Sequence, residues 1–411
     1  MEMVEDLRCP REKKHHLAEV LTYTVAGYVS GRTTLRRCVK WAKKHLKWLC
    51  KGMQLKNGIA SVATVSRLLS GIDEESFLYA FMEWIGEILD SKGHHIAIDG
   101  KALRAAASKV KSEKAPLLMN AIETATGLVL AQLPVMDKSN EIHGIPQLLK
   151  LLEIKDSIIT IDAIGTQTEI MEQIHDQDGH FVLLVKRNQP QSYDEIVAFM
   201  QKVEEERNKA YNSPYADLLS KYDKVSYREK NRDRYEYRTY SICNDPSPVT
   251  KTGEDWMFVK SVGCSRQIRI LMVRDGDGND ITPDVNTFLK HGSTRQPVPL
   301  TGDSERSDVQ IVGIISDMEM NAKEMGSYRR LHWAVENRLH HVLDDTFRED
   351  RSPAKKSKNN LSLVRKFAYN ILRIAQIQKG STCPLTEMMD SFADDPELLE
   401  KYIFNGIISF Y

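Results

Sequence analysis

The chain has 411 residues, with 57 basic and 57 acidic side chains, so its formal net charge is zero. That length calls for two or three domains, and 41% hydrophobic with 8% aromatic content excludes wholesale disorder. No apolar run approaches the ~18–20 residues of a membrane span, and the acidic start Met1-Glu-Met-Val-Glu-Asp6 lacks a signal-peptide layout. Cys9, Cys38, Cys50, Cys243, Cys264 and Cys383 form no C-x-x-C pair, which predicts reduced thiols in a cytoplasmic chain rather than a structural zinc site or disulfide frame.

The first ninety residues read as helical. Leu17, Val20, Leu21, Thr24, Val25 and Tyr28 mark one helix, ended near Gly31. Residues 34–51 follow as a second, with an apolar stripe of Leu35, Cys38, Val39, Ala42, Leu46 and Leu49. Ser61 caps a short third helix through Leu69, and Phe77, Phe81, Trp84, Ile85 and Ile88 mark a fourth, stopped by Gly93. Then the texture changes. His95-Ile-Ala-Ile98 reads as a strand ending at Asp99-Gly-Lys101, and residues 115–124 and 127–135 read as two more around Thr126-Gly127. A helix over 141–153, a strand at Ser157-Ile-Ile-Thr-Ile161 ending at Asp162, a helix over 166–175 and a strand over 180–186 complete the order βββαβαβ. This predicts an α/β fold with a mixed sheet flanked by helices. A helix over 193–209 precedes strand-like segments at 234–240, 257–262, 268–273 and 309–315, read as a β-rich insertion. Helix returns over 322–346 and 360–377, before an acidic tail after Thr382 that reads as peripheral, though its last residues are apolar enough to pack. Asp275-Gly-Asp-Gly-Asn-Asp280 starts like an EF-hand loop, but lacks glycine at the sixth position and glutamate at the twelfth. It reads as a turn.

Zero net charge conceals a blockwise distribution. Residues 8–58 carry thirteen basic and two acidic side chains, a net +11, and residues 351–379 carry +8 with no acid. Residues 59–350 carry −11. On the second helix, Arg36, Lys40, Lys43, Lys44, Lys47 and Lys51 fall off the apolar stripe. Such a row suits either a solvated face or a phosphate backbone bound through counterion release.

Asp99 and Asp162 stand at the predicted ends of two strands. Paired carboxylates raise one another's pKa unless a cation intervenes, and Mg²⁺ accepts a few carboxylates while keeping water and phosphate oxygens. Strand-terminal aspartates also serve as turn formers. A third carboxylate would come from the helix over 327–350, where Glu336 lies four residues from both His332 and His340 on one face. Asp344, Glu349 and Asp350 are alternatives to it. Zinc-protease H-E-x-x-H spacing is absent.

Several motifs together carry a resemblance. They are Ile98-Asp-Gly-Lys-Ala-Leu-Arg104, Lys138-Ser-Asn-Glu-Ile142, Thr160-Ile-Asp-Ala163, Leu184-Val-Lys-Arg-Asn-Gln-Pro190, His332-Trp-Ala-Val-Glu-Asn337 and Leu343-Asp-Asp-Thr-Phe-Arg-Glu-Asp350. Asn360-Leu-Ser-Leu-Val-Arg365 and Asn370-Ile-Leu-Arg373 extend the match, and Pro10-Arg11, His16-Leu-Ala-Glu-Val-Leu21 and Lys56-Asn-Gly-Ile59 fit the accessory N-terminal domain. In these the chain resembles insertion-sequence DDE transposases of the H-repeat-associated, Rhs-linked group. Related families carry Tyr-x-x-Arg-x-x-x-Glu-x₆-Lys around the glutamate, where this chain has Arg329, His332, Glu336 and Leu343.

The resemblance implies a ribonuclease-H-like catalytic core interrupted by a β-rich insertion. It implies an organisation of 1–92 (helical, DNA-binding or accessory), 93–190 (first part of the core), 191–320 (insertion), 321–380 (closing helices) and 381–411 (tail). Asp99, Asp162 and Glu336 match the family's catalytic and metal-binding acids, with Mg²⁺ as cofactor and Mn²⁺ as a substitute. The expected partner is double-stranded DNA, both element ends and target, with no membrane. Arg36, Lys40, Lys43, Lys44, Lys47, Lys51, Lys101 and Arg104 are its candidate contacts. Synapsis of two ends makes a homodimer in the DNA complex an expectation, in the bacterial cytoplasm at the nucleoid. The implied activity is cutting at element ends and joining their 3′-OH groups to target DNA. A nuclease without strand transfer and an inactive DNA-binding remnant are the alternatives.

Overall fold

The computed structural model describes residues 4–6, 8, 13–103, 117–135, 141–207, 216–247, 249, 256, 258–282, 307–352, 354 and 356–405. It divides into two compact units, residues 1–157 with 331–411, and residues 158–330.

Unit one opens with α1 (Leu17–Val29), α2 (Leu35–Lys44), α3 (Leu46–Leu49), α4 (Val62–Ser70) and α5 (Glu74–Gly86). Side chains cap three of these starts: Thr34 accepts from Arg37 N at 3.3 Å, Ser61 from Thr64 N at 3.1 Å and Asp73 from Ser76 N at 2.8 Å. The single helix expected over 34–51 is two, because His45 leaves helical geometry at φ −104° and ψ 19°. Its Nδ1 bonds the Trp41 carbonyl at 2.8 Å and its ring stacks on Trp41 at 4.6 Å.

An antiparallel meander follows, with β2 (Leu117–Glu123) between β1 (His95–Ala102) and β3 (Val129–Val135). Gly127 at φ +76° and the Glu123 carboxylate, which takes the N–H groups of Ala125 and Thr126 at 2.8 and 2.7 Å, close the β2–β3 turn. β1 runs on through Lys101, so Asp99 sits in mid-strand opposite Asn120 and not at the strand end expected for it. The helix α6 (Glu141–Leu151) packs on β3 and β2.

Unit two begins with β4 (Ile158–Ile161), a 3₁₀ turn at Ala163–Gly165, α7 (Thr168–Asp176), β5 (His180–Val185), α8 (Pro190–Arg207) and α9 (Ala216–Ser220). β6 (Tyr222–Asn231), β7 (Arg234–Cys243), β8 (Ser261–Leu271) and β9 (Ser307–Ser316) complete the order β4-β5-β9-β8-β7-β6. β4 and β5 are parallel, and the remaining pairs are antiparallel. The strands of the β-rich segment thus continue the sheet from β5 through β9. Two strands expected within 257–273 are the single strand β8, and β6 escaped the sequence reading because its Asp, Lys, Ser, Arg and Glu side chains leave no apolar alternation. The 275–280 segment is the expected turn: Asp275 accepts from Asp277 N and Asn279 N, and Gly278 has φ +84°.

The helix expected over 322–346 is α10 (Ala322–His332), a π-helical turn (Val335–His340) and α11 (His341–Asp345). A 3₁₀ turn at Glu349–Arg351 leads to α12 (Lys358–Gln378), α13 (Leu385–Asp394) and α14 (Pro396–Ile403), all in unit one. Phe367 of α12 is the centre of an aromatic core, 5.7 Å from Phe77, 4.8 Å from Phe81 and 4.9 Å from Trp84. The tail is not peripheral. Met388, Met389, Phe392, Leu399 and Tyr402 are buried, and Phe404 lies 5.0 Å from Trp48. Apolar spacing within an acidic segment outweighed its net charge. The architecture is α/β, with antiparallel and parallel pairs in the βββαβαβ order expected of a ribonuclease-H-like core.

Candidate active site and metal-binding cluster

The π-helical turn carries Glu336 and His340, and β1 carries Asp99. These three supply ligand atoms that all lie within 4.8 Å of one another, the one such acid–histidine group among the described residues. His340 is the hub. Its Nδ1 lies 3.0 Å from Glu336 Oε2 and 3.6 Å from Asp99 Oδ2, and its Nε2 lies 3.5 Å from Asn120 Nδ2. Two carboxylates on one side place a proton on Nδ1, which donates toward them. The His340 hydrogen bond holds Glu336 below the usual carboxylate range, helped by the charges of His340, His341 and Lys101 and opposed by burial. Glu336 remains 45% exposed and Asp99 27%, whereas His340 is 6% exposed. Two reachable carboxylates on a buried imidazole can hold a divalent cation or a polarised water. His332, expected on the same face, is instead buried near His95, whose pKa burial and His332 together push down to about 4. The wider π turn breaks the periodicity that would have aligned it.

Beside this cluster lies a buried charge network. Lys101, two residues beyond Asp99 on β1, is 4% exposed, and its ammonium lies 2.5 Å from Asp344, 3.3 Å from Glu349 and 3.7 Å from Asp350. The Lys101 ammonium, a candidate DNA contact from the sequence, is thus buried as the counter-ion of three carboxylates. Asp344, Glu349 and Asp350, the alternatives to Glu336, all converge on Lys101. Burial works against the Lys101 charge, but Glu349, Asp344 and Asp350 outweigh it and raise its pKa. Burial likewise opposes ionisation of Glu349, yet Lys366, Arg365 and Lys101 hold it at about 2. Lys366, pulled down to about 7 by burial, donates to Gln132 Oε1 at 2.5 Å and Ser362 Oγ at 3.0 Å.

In unit two, Asp162 follows β4 at the mouth of the 3₁₀ turn, where Lys186 Nζ approaches its Oδ1 to 2.5 Å. The Leu184–Pro190 motif pins this turn. Asn188 Nδ2 donates to the Ala163 carbonyl at 3.0 Å, Gln189 Nε2 to that of Thr166 at 2.5 Å, and Thr166 Oγ1 to that of Leu184 at 2.6 Å. Burial lowers the pKa of Arg329, and Asp162 counteracts that effect.

Of the other expected contacts, Arg36, Lys40, Lys43, Lys44, Lys47 and Lys51 are exposed, over buried Cys38, Val39, Trp41 and Ala42. Lys51 pairs with Glu400 at 3.2 Å. Arg104 lies outside the described residues. The sequence reading missed Asn120, a polar residue inside the apolar run Leu117–Ile122, which was the available signal. It also missed the buried Lys366 and the Lys186 pairing, which have no local signature. Among the described cysteines, Cys38, Cys50, Cys243, Cys264 and Cys383 are free. Among the described residues, no helix is long and apolar enough to cross a membrane.

Residues 90–371 match the family described as "Transposase DDE domain", and residues 1–85 match "DDE_Tnp_1-associated". The chain belongs to the DDE transposase family. Among its relatives, the "Putative transposase YncI" of Escherichia coli O157:H7 is 29% identical over 95% of this chain and 94% of that protein. The "H repeat-associated putative transposase YhhI" of Escherichia coli K12 is 27% identical, over 92% of this chain and 90% of that protein. A cryo-EM structure of a piggyBac transposase synaptic complex with hairpin DNA aligns over 97% of this chain and 75% of its own, at 12% identity and a TM-score of 0.39, too low a likeness to decide a fold.

Proposed function

We propose that this transposase cuts DNA at the ends of its insertion sequence and joins the freed 3′-OH ends to target DNA, with Asp99, Asp162 and Glu336 as its catalytic carboxylates. The observation that carries this reading is the Asp99–Glu336–His340 cluster, in a chain whose residues 90–371 match a DDE domain. The two part-exposed carboxylates, Asp99 and Glu336, offer the oxygen ligands that a divalent cation of the Mg²⁺ or Mn²⁺ kind takes, with His340 placed behind them as a hydrogen-bond donor. Bound metal ions supply the Lewis acidity that turns water into a nucleophile at neutral pH and stabilises the leaving 3′ oxygen.

The chain's own residues set up that chemistry. His340 keeps Glu336 ionised and aimed toward Asp99 through its Nδ1, and Asn120 holds the far side of the ring. Lys101 fixes β1 to the segment that carries Asp344, so Asp99 and Glu336 keep their spacing. The reaction proceeds in two displacements at phosphorus. Water attacks at the element end, the bridging 3′ oxygen leaves, and a 3′-OH is freed. That hydroxyl then attacks a target phosphodiester, forming a new P–O bond as the target's own 3′ oxygen departs, with no protein-linked intermediate.

An in vitro assay with duplexes of the element ends, intact and pre-cleaved, and Mg²⁺ tests the reading. Joined products from pre-cleaved ends are expected. Cleavage without joining would make the chain a nuclease, and binding without either step would make it an inactive remnant; both outcomes sink the proposal.

A further inference from the structure

The cations of α2 do not form one uniform row. Arg32, Arg37, Lys40 and Lys44 line a concavity of about 370 Å³, together with Trp41 and His45. Arg37, Lys40, Trp41 and Lys44 recur at three- and four-residue spacing and so share one face of α2, and Arg32 joins them from the preceding turn. Arg36, Lys43 and Lys47 lie outside this lining. Trp41 is buried and stacks on His45 with ring planes 21° apart, which gives the pocket an ordered wall.

Every charged residue lining the pocket is a cation, and no carboxylate lines it. Among the described residues, none of these four cations takes part in an ion pair, in contrast to Lys51, Lys101 and Lys186. Four like charges around one concavity repel, and the arrangement becomes favourable when an anion enters. Guanidinium groups present paired N–H donors that match phosphate oxygens, and ammonium groups add point charge.

We propose that Arg32, Arg37, Lys40 and Lys44 form a pocket that seats a backbone phosphate of duplex DNA. The exposed Arg36, Lys43 and Lys47 continue the positive surface around the same helices, more than a single free anion would use and well suited to successive phosphates. The DNA-transposition reading bears only on which molecule carries the phosphate.

The test uses the full chain, a fluorescent duplex of arbitrary sequence and a KCl titration without divalent metal, read by anisotropy. Each phosphate neutralised contributes about 0.9 to the slope of log affinity against log salt. Arg32→Gln with Arg37→Gln is expected to weaken binding and lower the slope by about 1, whereas Arg37→Lys preserves it. Lys155→Gln, an exposed lysine elsewhere in unit one, reports any general effect of lost charge. An unchanged slope in the double variant, with its circular dichroism unaltered, overturns the proposal, as does an equal fall in Lys155→Gln. Inorganic phosphate supplies the second arm. Displacing DNA no better than chloride at equal ionic strength supports the backbone phosphate, and specific displacement at low concentration reassigns the pocket to a free anion. Strand transfer is scored separately, so loss of this pocket leaves the transposase reading standing.

Discussion

Glu336 and Asp344 lie eight residues apart in one helical stretch, and their surroundings give them opposite tasks. Glu336 is drawn through His340 toward Asp99, while Asp344 is bound to Lys101 and pushed up by burial. Glu336→Gln is therefore expected to cut cleavage and joining by at least about 100-fold while DNA affinity stays the same, measured by strand transfer and anisotropy on one preparation. Asp344→Asn is expected to retain more activity than Glu336→Gln. The reverse ranking would reassign the acid. Lys101→Met leaves Glu349 with one cation fewer in a buried site, and breaking such an arrangement costs about 3–5 kcal/mol. Chemical denaturation should show that loss, where a surface cation facing DNA would show almost none. Local spacing put Glu336, His340 and Asp99 under suspicion in the sequence. It could not distinguish the four nearby acids, because each stands in similar company along the chain and only their partners from β1 and α12 separate them.

Among the elements, the 3₁₀ turn at Glu349–Arg351 and helix α12 are tied by charges in the interior of unit one. The unfolded chain ionises Glu349 near the usual value of about 4.3, and the folded chain near 2. Because the folded value is the lower, this contribution to stability is complete above the unfolded value and disappears as pH falls from about 4.3 through 2. Acid titration of folding should therefore steepen over that window in the native chain, and Glu349→Gln should lose that component while being less stable at neutral pH. Most helices and strands were legible in the sequence because amphipathic spacing and Ser61-type caps are local signals. Departures came where tertiary partners decided. His45 broke α2 from α3 by bonding and stacking on Trp41, the π turn took Glu336 out of step with His332, and β6 was stabilised by pairing with β7 despite a polar pattern.

For the whole molecule, the proposed chemistry requires a divalent cation. Chelation with EDTA is expected to abolish strand transfer, with Mg²⁺ or Mn²⁺ restoring it, while binding of duplex DNA persists. Calorimetric titration of Mn²⁺ should show affinity weakened by 10-fold or more, on the order seen for lost metal-site residues, in Asp99→Asn with Glu336→Gln. Activity that survives full chelation would remove metal from the proposal.

The amino-acid sequence by itself determined the α/β class, the order βββαβαβ, the basic N-terminal block hidden under zero net charge, and the family to which the chain belongs. These follow from periodicity, composition and motif order, all carried by residues near one another in the chain. Only the tertiary structure decided that Lys101 is a buried counter-ion, that Asp344, Glu349 and Asp350 are its partners, that Asn120 supports His340, and that Arg32 and Arg37 join Lys40 and Lys44 in one pocket. Lys101 and Asp344 are separated by 243 positions yet lie 2.5 Å apart. The free energy of a buried charge depends on which opposite charge the fold brings to it, and no local pattern records that meeting.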